Sequence, residues 1–298
     1  MKSSLIIFLS KAYWSFPVLL LLMAFSDLPG AELMKSGTAK VNGTSLYYEI
    51  AGQGAPLVLI SGGGTLDRRS WDNQFEAFAK SYQVIRYDVR GIGKSAHPTK
   101  PFSHSQDLFE LLKFLKIQKA HVIGLSFSGA MALDFALDHP EMVDRLVLIA
   151  SGSSTDAKSK ANLDALASLA ALAKKDGLSK TAQLIADLPW FISPDNSDGR
   201  EKVKQNLLDN NQIFDSDFAL VRLWQPTTPP ASERLREIRM PVLIVEAEKD
   251  LPAYREITAK LKLGIAGSKQ VVIPGAAHLI HLDKPAELNQ VILDFLKG

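Results

Sequence analysis

Short apolar runs that alternate with helix-like segments constrain the fold of this chain more than any other feature. The runs lie at residues 56–60, 82–87, 120–123, 146–150, 242–245 and 270–273. Such runs are typical of strands buried on both faces of a parallel sheet. Helix-like segments lie at residues 71–79, 108–115, 130–137 and 283–296. This order predicts an α/β fold with a mostly parallel, doubly wound sheet. A hairpin is expected at residues 41–50, around the turn pair Asn42-Gly43.

One long region, residues 153–239, interrupts the alternation because it contains no convincing strand pattern. Its helix-like segments lie at residues 161–175, 178–188 and 200–208. A helical insertion between two strands lies outside their sheet, so we expect a helical cap over one sheet edge. The core then comprises residues 35–152 and 240–298. A packed helical layer with no gating role is the alternative interpretation.

The start of the chain has the composition of an export signal. Lys2 gives a positive start, and apolar runs at residues 5–9 and 12–25 follow, with Lys11 between them. The longer run is shorter than the ~20 residues of a membrane-spanning helix, and the small residues at its end suit a cleavage site. We expect residues 1–26 to be a signal peptide, or else an uncleaved anchor. The protein is then exported, to the periplasm or out of the cell.

Composition excludes several classes of site. Without Lys2 and Lys11, the 34 basic residues become 32 and equal the 32 acidic residues. A balanced chain without a basic run gives no electrostatic reason to bind nucleic acid. The absence of cysteine excludes disulfides, a cysteine nucleophile and thiolate metal ligands. The sequence also shows no metal-ligand cluster and no nucleotide loop, so we expect no cofactor.

A candidate nucleophile lies in the stretch Gly124-Leu125-Ser126-Phe127-Ser128-Gly129, between a predicted strand and a predicted helix. This is the context of a nucleophile elbow, in which a serine projects from a tight strand-to-helix turn. Small residues on either side let the turn close against neighbouring strands. Ser128 replaces the usual second glycine of the pattern, and Gly129 follows it. We interpret Ser126 as a nucleophile.

A nucleophilic serine needs a base, which is expected on a loop after a late strand. His278 follows the strand at residues 270–273, on a loop that contains Gly275. His281 lies three residues further on and is the competing candidate. We favour His278 and expect His281 at the start of the final helix or on the pocket rim.

The acid that orients the base is expected after another strand end. Asp250 follows the strand at residues 242–245, and Glu248 is the competing candidate. The chain order Ser126, Asp250, His278 is the order of nucleophile-elbow hydrolases. Ser126 would attack, His278 would take and return its proton, and Asp250 would hold the imidazole tautomer.

An oxyanion hole would complete the site with two backbone N–H groups. The N–H of Phe127, directly after the nucleophile, is the first candidate. The second is expected in the glycine-rich loop after the strand at residues 56–60, where the backbone can approach a ligand closely. We favour Gly63 there, with Gly64 as the alternative.

Together these pieces resemble the α/β-hydrolase superfamily, from about residue 40 to residue 297. The matching stretches lie at residues 61–71, 88–95, 124–129, 246–250 and 275–278. The resemblance implies an eight-stranded, mostly parallel sheet, a helical cap between strands six and seven, and cofactor-free hydrolysis. Within the superfamily the chain is similar to small esterases, enol-lactonases and carbon–carbon-bond hydrolases. Serine at position 126 argues against the epoxide-hydrolase and haloalkane-dehalogenase branches, which use aspartate there.

The substrate is expected between the sheet edge and the cap. Ser61 replaces a histidine that the family often has before its hole loop, which leaves the backbone donors in place. Arg68 and Arg69 offer a site for a substrate carboxylate, or else form a solvated helix start. The candidate substrate contacts are Gly64, Trp190, Trp224 and Leu251, and further candidate apolar walls are Phe127, Phe191 and Phe214. The alternative role of most of the aromatic residues is cap core.

The sequence therefore predicts a serine hydrolase that cleaves a carboxylic ester or lactone of a small or medium apolar substrate. The same triad also serves carbon–carbon hydrolysis, perhydrolysis and acyl transfer, which stay open as alternatives. A hydrolase-like ligand-binding protein that has lost catalysis is the alternative from another class. The expected partner is a small molecule, with membrane contact only through an uncleaved leader.

Overall fold

The computed structural model describes residues 34–61, 66–154, 160–214 and 219–298. The predicted leader, residues 1–26, lies outside this described part. None of the helices in the described ranges combines the length and the apolar character of a membrane span.

One eight-stranded sheet organises the described residues. Its strands are β1 (Lys35–Val41), β2 (Thr44–Ala51), β3 (Pro56–Ile60), β4 (Gln83–Tyr87), β5 (Ala120–Leu125), β6 (Val143–Ile149), β7 (Val242–Ala247) and β8 (Lys269–Ile273). They lie in the order β1-β2-β4-β3-β5-β6-β7-β8. The β1–β2 and β2–β4 pairs are antiparallel, and the other neighbours are parallel. The predicted mostly parallel sheet is confirmed.

The β1–β2 hairpin turns at the predicted pair, but its first strand begins earlier than the predicted residue 41, at Lys35. Asn42 and Gly43 have φ angles of 45° and 66°. Positive φ at both central residues is what a two-residue hairpin turn of matching twist requires.

The α-helices of the described residues cover the sheet and form the insertion between β6 and β7. They are α1 (Asp72–Phe78), α2 (His104–Phe114), α3 (Phe127–Asp138), α4 (Lys160–Asp176), α5 (Leu178–Ala186), α6 (Ser197–Asp209), α7 (Ala219–Leu223), α8 (Ala231–Arg234), α9 (Pro252–Gly264), α10 (Ile280–Asp283) and α11 (Pro285–Lys297). Short 3-10 turns lie at Arg68–Trp71, Pro140–Met142, Asn211–Phe214 and Leu235–Glu237. Helix α9 is the one long helix of the core that the sequence patterns did not predict.

The sheet separates two apolar clusters because alternate residues of each strand point to opposite faces. Val58 and Ile60 of β3 join the cluster that contains residues of α2 and α3. Leu57 and Leu59 join the cluster that contains residues of α1 and α11. Both faces are therefore covered by helices, which is the doubly wound arrangement that the continuous apolar runs predict.

The regular structure described in the insertion between β6 and β7 is helical, apart from an isolated bridge between Trp224 and Phe102. Helices α4 to α8 lie within it, and none of its described residues belongs to a strand of the sheet. Helix α4 ends before Gly177, whose φ of 90° suits a helix-terminating glycine. The buried Asn206 of α6 accepts a 2.7 Å hydrogen bond from the N–H of Asp67, a core residue. The predicted domain boundaries and the gating role of a cap stay predictions.

Candidate active site

Three strand ends present polar side chains at the same edge of the sheet. Ser126 directly follows β5, Asp250 lies three residues after β7, and His278 lies five residues after β8. These strands are parallel within the β5-β6-β7-β8 half of the sheet. Their carboxyl ends therefore face the same side, where open α/β sheets bind ligands.

The turn at Ser126 is strained and tightly packed. Ser126 has φ 55° and ψ −119°, a conformation that an L-residue with a side chain rarely adopts and that costs about 1–3 kcal/mol. A side chain at Gly124 would place its Cβ 2.2 Å from the carbonyl oxygen of Ser128. A side chain at Gly129 would place its Cβ 2.6 Å from Ser151 Oγ. The two glycines let the strand and the helix approach closely enough to project Ser126.

Ser128, which replaces the usual second glycine, closes the turn with its own hydroxyl. Its Oγ accepts the N–H of Leu125 at 3.0 Å and donates to the carbonyl of Leu125 at 2.9 Å. The side chain is fully buried. Serine at this position therefore adds two hydrogen bonds inside the elbow.

Ser126, His278 and Asp250 form one hydrogen-bonded chain. The distance from Ser126 Oγ to His278 Nε2 is 2.8 Å, and the distance from His278 Nδ1 to Asp250 Oδ2 is also 2.8 Å. An ionised carboxylate only accepts hydrogen bonds, so the proton belongs on Nδ1 and Nε2 accepts from the serine. All three side chains are buried. This tautomer and geometry are what a serine nucleophile and its general base require.

The two oxygens of the Asp250 carboxylate have separate partners. Oδ1 accepts the N–H of Leu251 at 2.7 Å, which directs Oδ2 to the imidazole. Glu248, the competing acid, accepts the N–H of Gly275 at 2.7 Å instead. Asp250 is therefore the acid in contact with His278, and Glu248 supports the loop before it.

His281, the competing base, lies away from the serine. It belongs to the short helix α10 and is fully buried, with its ring 4.7 Å from that of Trp71. Neither ring nitrogen has a hydrogen-bond partner among the described residues. Burial, together with the nearby His278, lowers the pKa of His281 to about 3. The imidazole is therefore a neutral part of the core.

Only one predicted donor of the oxyanion hole lies in the described part of the chain. Phe127 begins α3, so its N–H belongs to the first turn, where N–H groups have no partner within the helix. Gly63 and Gly64 lie outside the described residues. Directly before them, Ser61 Oγ accepts the N–H of Val89 at 3.0 Å. The serine that replaces the family histidine thus bonds to the chain after β4.

A match to a family model identifies the family to which the chain belongs. Residues 55–285 match the model of the alpha/beta hydrolase fold, which covers most of the chain. The chain belongs to the α/β-hydrolase family. The family that the sequence motifs predict is thereby confirmed, and so is the predicted fold class.

Individual proteins resemble the chain over most of its length. The provisionally named carbamate hydrolase RutD of Agrobacterium fabrum is 27% identical over 261 residues, which is 84% of this chain and 98% of that protein. The enol-lactonase of Burkholderia xenovorans LB400 has a TM-score of 0.71 and 24% identity, and the match covers 88% of this chain and 100% of that one. A thermophilic esterase from Thermogutta terrifontis has a TM-score of 0.74 and 22% identity, over 88% of this chain and 98% of that one.

Aromatic rings surround the imidazole of this α/β hydrolase. Tyr254 lies 4.2 Å from the His278 ring, Trp190 lies at 5.7 Å and Phe191 at 5.9 Å. Of these, sequence reasoning named Trp190 and Phe191 as candidate pocket walls. Tyr254 was missed because α9, the helix that carries it four residues after Asp250, was not predicted.

Trp224 and Leu251, two other predicted substrate contacts, lie beside Phe127 and Asp250. Trp224 is buried, with its ring 4.8 Å from that of Phe127. Leu251 is half-buried next to Asp250. The fully buried His104 packs 5.7 Å from the Trp224 ring. Trp224 therefore packs against Phe127, the residue that follows Ser126.

The structure corrects the interpretation of Arg68 as part of a solvated helix start. Its guanidinium is buried and bonds to Glu49 at 2.7 Å and to Asp88 at 3.0 Å. Arg69 pairs with Asp67 at 2.6 Å and is partly exposed. Both cations are neutralised by carboxylates of the chain. Among the described residues, no group of three metal-ligating side chains converges on one point.

Proposed function

We propose that this α/β hydrolase is a serine hydrolase that cleaves a carboxylic ester or lactone of a small or medium apolar substrate. The observation that carries the proposal is the hydrogen-bonded chain from Ser126 through His278 to Asp250, with Ser126 on a strained turn. A serine held in this way contacts a base, and a carboxylate in turn orients that base. A purely structural serine needs neither.

The reaction proceeds through an acyl-enzyme. Ser126 Oγ attacks the carbonyl carbon while its proton passes to His278 Nε2, and Asp250 stabilises the imidazolium through Nδ1–H. The proposed donors to the oxyanion are the N–H groups of Phe127 and Gly63. His278 then returns the proton to the leaving oxygen, which leaves the acyl group on Ser126. A water molecule, deprotonated by the same imidazole, releases the acid and restores the serine.

The substrate class rests on chemistry that the relatives share. Carbamates, lactones and esters all present a carbonyl carbon bonded to a heteroatom leaving group, which is what the activated serine attacks. The apolar character follows from the rings of Trp190, Phe191 and Tyr254, which lie around the His278 imidazole. Arg68 and Arg69 are already paired, so they give no argument for an acidic substrate.

Active-site labelling tests the proposal directly. The full chain is treated with a fluorophosphonate, beside Ser126→Ala, and the adduct is located by mass spectrometry. We expect a single adduct on Ser126 that the variant lacks. Absence of an adduct from folded wild-type protein would contradict an activated serine.

A substrate panel then tests the chemical class. It comprises p-nitrophenyl esters of short, medium and long acyl chains, an aliphatic lactone and a carbamate. We expect the highest kcat/KM for a short or medium acyl ester or for the lactone. If the labelled enzyme hydrolysed only the carbamate, the protein would still be a serine hydrolase, but the proposed ester or lactone substrate would be wrong.

Export is a separate part of the proposal and rests on the charged start and apolar runs of residues 1–26. Cell fractionation and N-terminal sequencing of the expressed full chain test it. We expect an exported protein that begins near Asp27, or a membrane-bound one that retains its first residues. An intact chain found only in the cytoplasm would refute export.

A further inference from the structure

Part of the insertion is hydrogen-bonded to the loop that carries His278. The N–H groups of His278 and Leu279 donate to the carbonyls of Trp190 and Phe191, at 2.9 and 3.0 Å. The ring of Phe191 also lies nearly parallel to the imidazole, at 5.9 Å and an angle of 19°. The insertion therefore holds His278 both by its backbone and against an aromatic face.

Asp283 joins the same two segments. Its Oδ1 accepts the N–H of Ser193 at 3.1 Å, and its Oδ2 accepts Ser193 Oγ–H at 2.7 Å and the N–H of Ala277 at 2.8 Å. Ala277 directly precedes His278, and Ser193 lies two residues after Phe191. Asp283 and Ser193 are buried, and hydrogen bonds to a carboxylate shielded from water are among the stronger ones.

We propose that Asp283 and Ser193 are positioning residues for His278. Together they lock residues 190–193 of the insertion to residues 277–279 of the core, and this lock keeps Nε2 within hydrogen-bonding reach of Ser126. Residues 190–193 are thus a fixed part of the site's framework and do not move independently as a lid. The kinetic consequences of this inference rest on the proposed hydrolase function, whereas the positioning of the imidazole does not.

The lock matters because the base has little tolerance for displacement. His278 is held by hydrogen bonds at both ring nitrogens, each 2.8 Å long. A shift of about 1 Å in a catalytic group can lower a rate roughly 100-fold. Asp283 and Ser193 lie 90 residues apart in the chain. Their hydrogen bond therefore fixes the position of residues 190–193 relative to the His278 loop.

The first test reads the imidazole itself and needs no substrate. The proton on His278 Nδ1, bonded to Asp250, is expected to give a far-downfield NMR resonance that His278→Ala removes. In Ser193→Ala and Asp283→Ala we expect this proton to exchange with solvent at least tenfold faster than in the wild type. Matched controls are Ser197→Ala and Asp195→Ala, which alter exposed side chains of the same segment and should leave the exchange rate unchanged.

The second test measures hydrolysis of a p-nitrophenyl ester by the same proteins. Asp283→Ala is expected to lower kcat by about 100-fold with little change in KM, because a misplaced base affects the chemical step more than binding. Ser193→Ala, which removes one of three bonds, is expected to lower kcat about tenfold. Asp283→Asn, which keeps one acceptor oxygen, should lie between the wild type and Asp283→Ala.

The outcomes separate the two proposals. Folded Ser193→Ala and Asp283→Ala proteins with wild-type proton exchange would overturn the positioning role, even if their melting temperatures fall. Should Asp283→Ala fail to fold, Ser193→Ala decides the question, since it deletes only a hydroxyl. A wild type that neither reacts with the fluorophosphonate nor hydrolyses any ester, lactone or carbamate would refute the hydrolase. Faster exchange in both variants of that protein would still support the positioning role.

Discussion

The buried carboxyl group of Asp134 leads to a quantitative prediction about stability. Asp134 lies in α3, the helix that follows the nucleophile, and accepts hydrogen bonds from Ser154 Oγ at 3.2 Å and from the N–H of Thr227 at 3.3 Å. Burial is the main reason that its pKa rises from 3.8 to about 7, and the nearby charge of Asp138 adds to the rise. The two hydrogen bonds and Arg234 act in the opposite direction.

The sign of the pH effect follows from proton binding in the two states. Between about pH 4 and pH 7 the native carboxyl keeps its proton while the unfolded one has lost it. The stabilisation is therefore complete below the unfolded pKa and is lost as the pH rises through the native pKa. A shift of about three pKa units at 1.36 kcal/mol per unit sets an upper limit of about 4 kcal/mol.

Asp134→Asn removes this titration while nearly preserving the shape of the side chain. The free energy of unfolding of the variant, relative to the wild type, should rise by about 2 to 4 kcal/mol between about pH 4 and pH 8. Urea unfolding followed by far-UV circular dichroism, at several pH values, measures this difference. Asp294→Asn, at an exposed ion pair with Lys297, is the control and should change by less than about 1 kcal/mol. A difference for Asp134→Asn that does not vary with pH would refute the reasoning.

Three further substitutions test the site and its support. Asp250→Asn should lower kcat by about 10⁴-fold in ester hydrolysis with little loss of stability, because the imidazole then takes the wrong tautomer; a loss below tenfold would argue against its role. Ser128→Gly restores the usual elbow pattern, yet should lower the free energy of unfolding by about 1 kcal/mol because the buried hydroxyl bonds are lost; fluorophosphonate labelling of Ser126 should persist. Arg68→Met should destabilise the fold by about 3–5 kcal/mol in urea unfolding, since it removes the guanidinium that pairs with the buried carboxylate of Asp88; a neutral effect would mean that the ion pair is not needed.

The sequence predicted those features that depend on local pattern. The apolar runs mark the strands because buried parallel strands need continuous apolar residues. Glycine and small residues mark the elbow at Ser126 because only they permit its close packing. Helix α9 was missed although Pro252 is a good first helical residue. Its exposed face and short apolar stripe, Ile257 and Leu261, gave a weak periodic signal.

Contacts between distant segments could not be predicted from pattern alone. Arg68 appeared in sequence as one of two adjacent cations at a helix start, and its partners come from β2 and from the chain after β4. Ser193 carried no signal at all, because a serine becomes informative only when Asp283 is known to face it. Polar pairs of this kind depend on how the segments pack, which no single-segment pattern encodes.

Topology explains why the insertion and the triad meet. In the sheet β6 lies between β5, which ends directly before Ser126, and β7, which ends before Asp250. Because these strands are parallel, the chain leaves β6 at the same edge at which the nucleophile and the acid project. An insertion after β6 therefore starts beside Ser126 and Asp250, whatever its own sequence. Its segments then differ in what they contact. Residues 190–193, between α5 and α6, bond to the His278 loop, and Asn206 of α6 bonds to the chain beyond β3. An insertion at the opposite end of a strand could reach neither loop, so its position in the chain order, more than its composition, makes it part of the site.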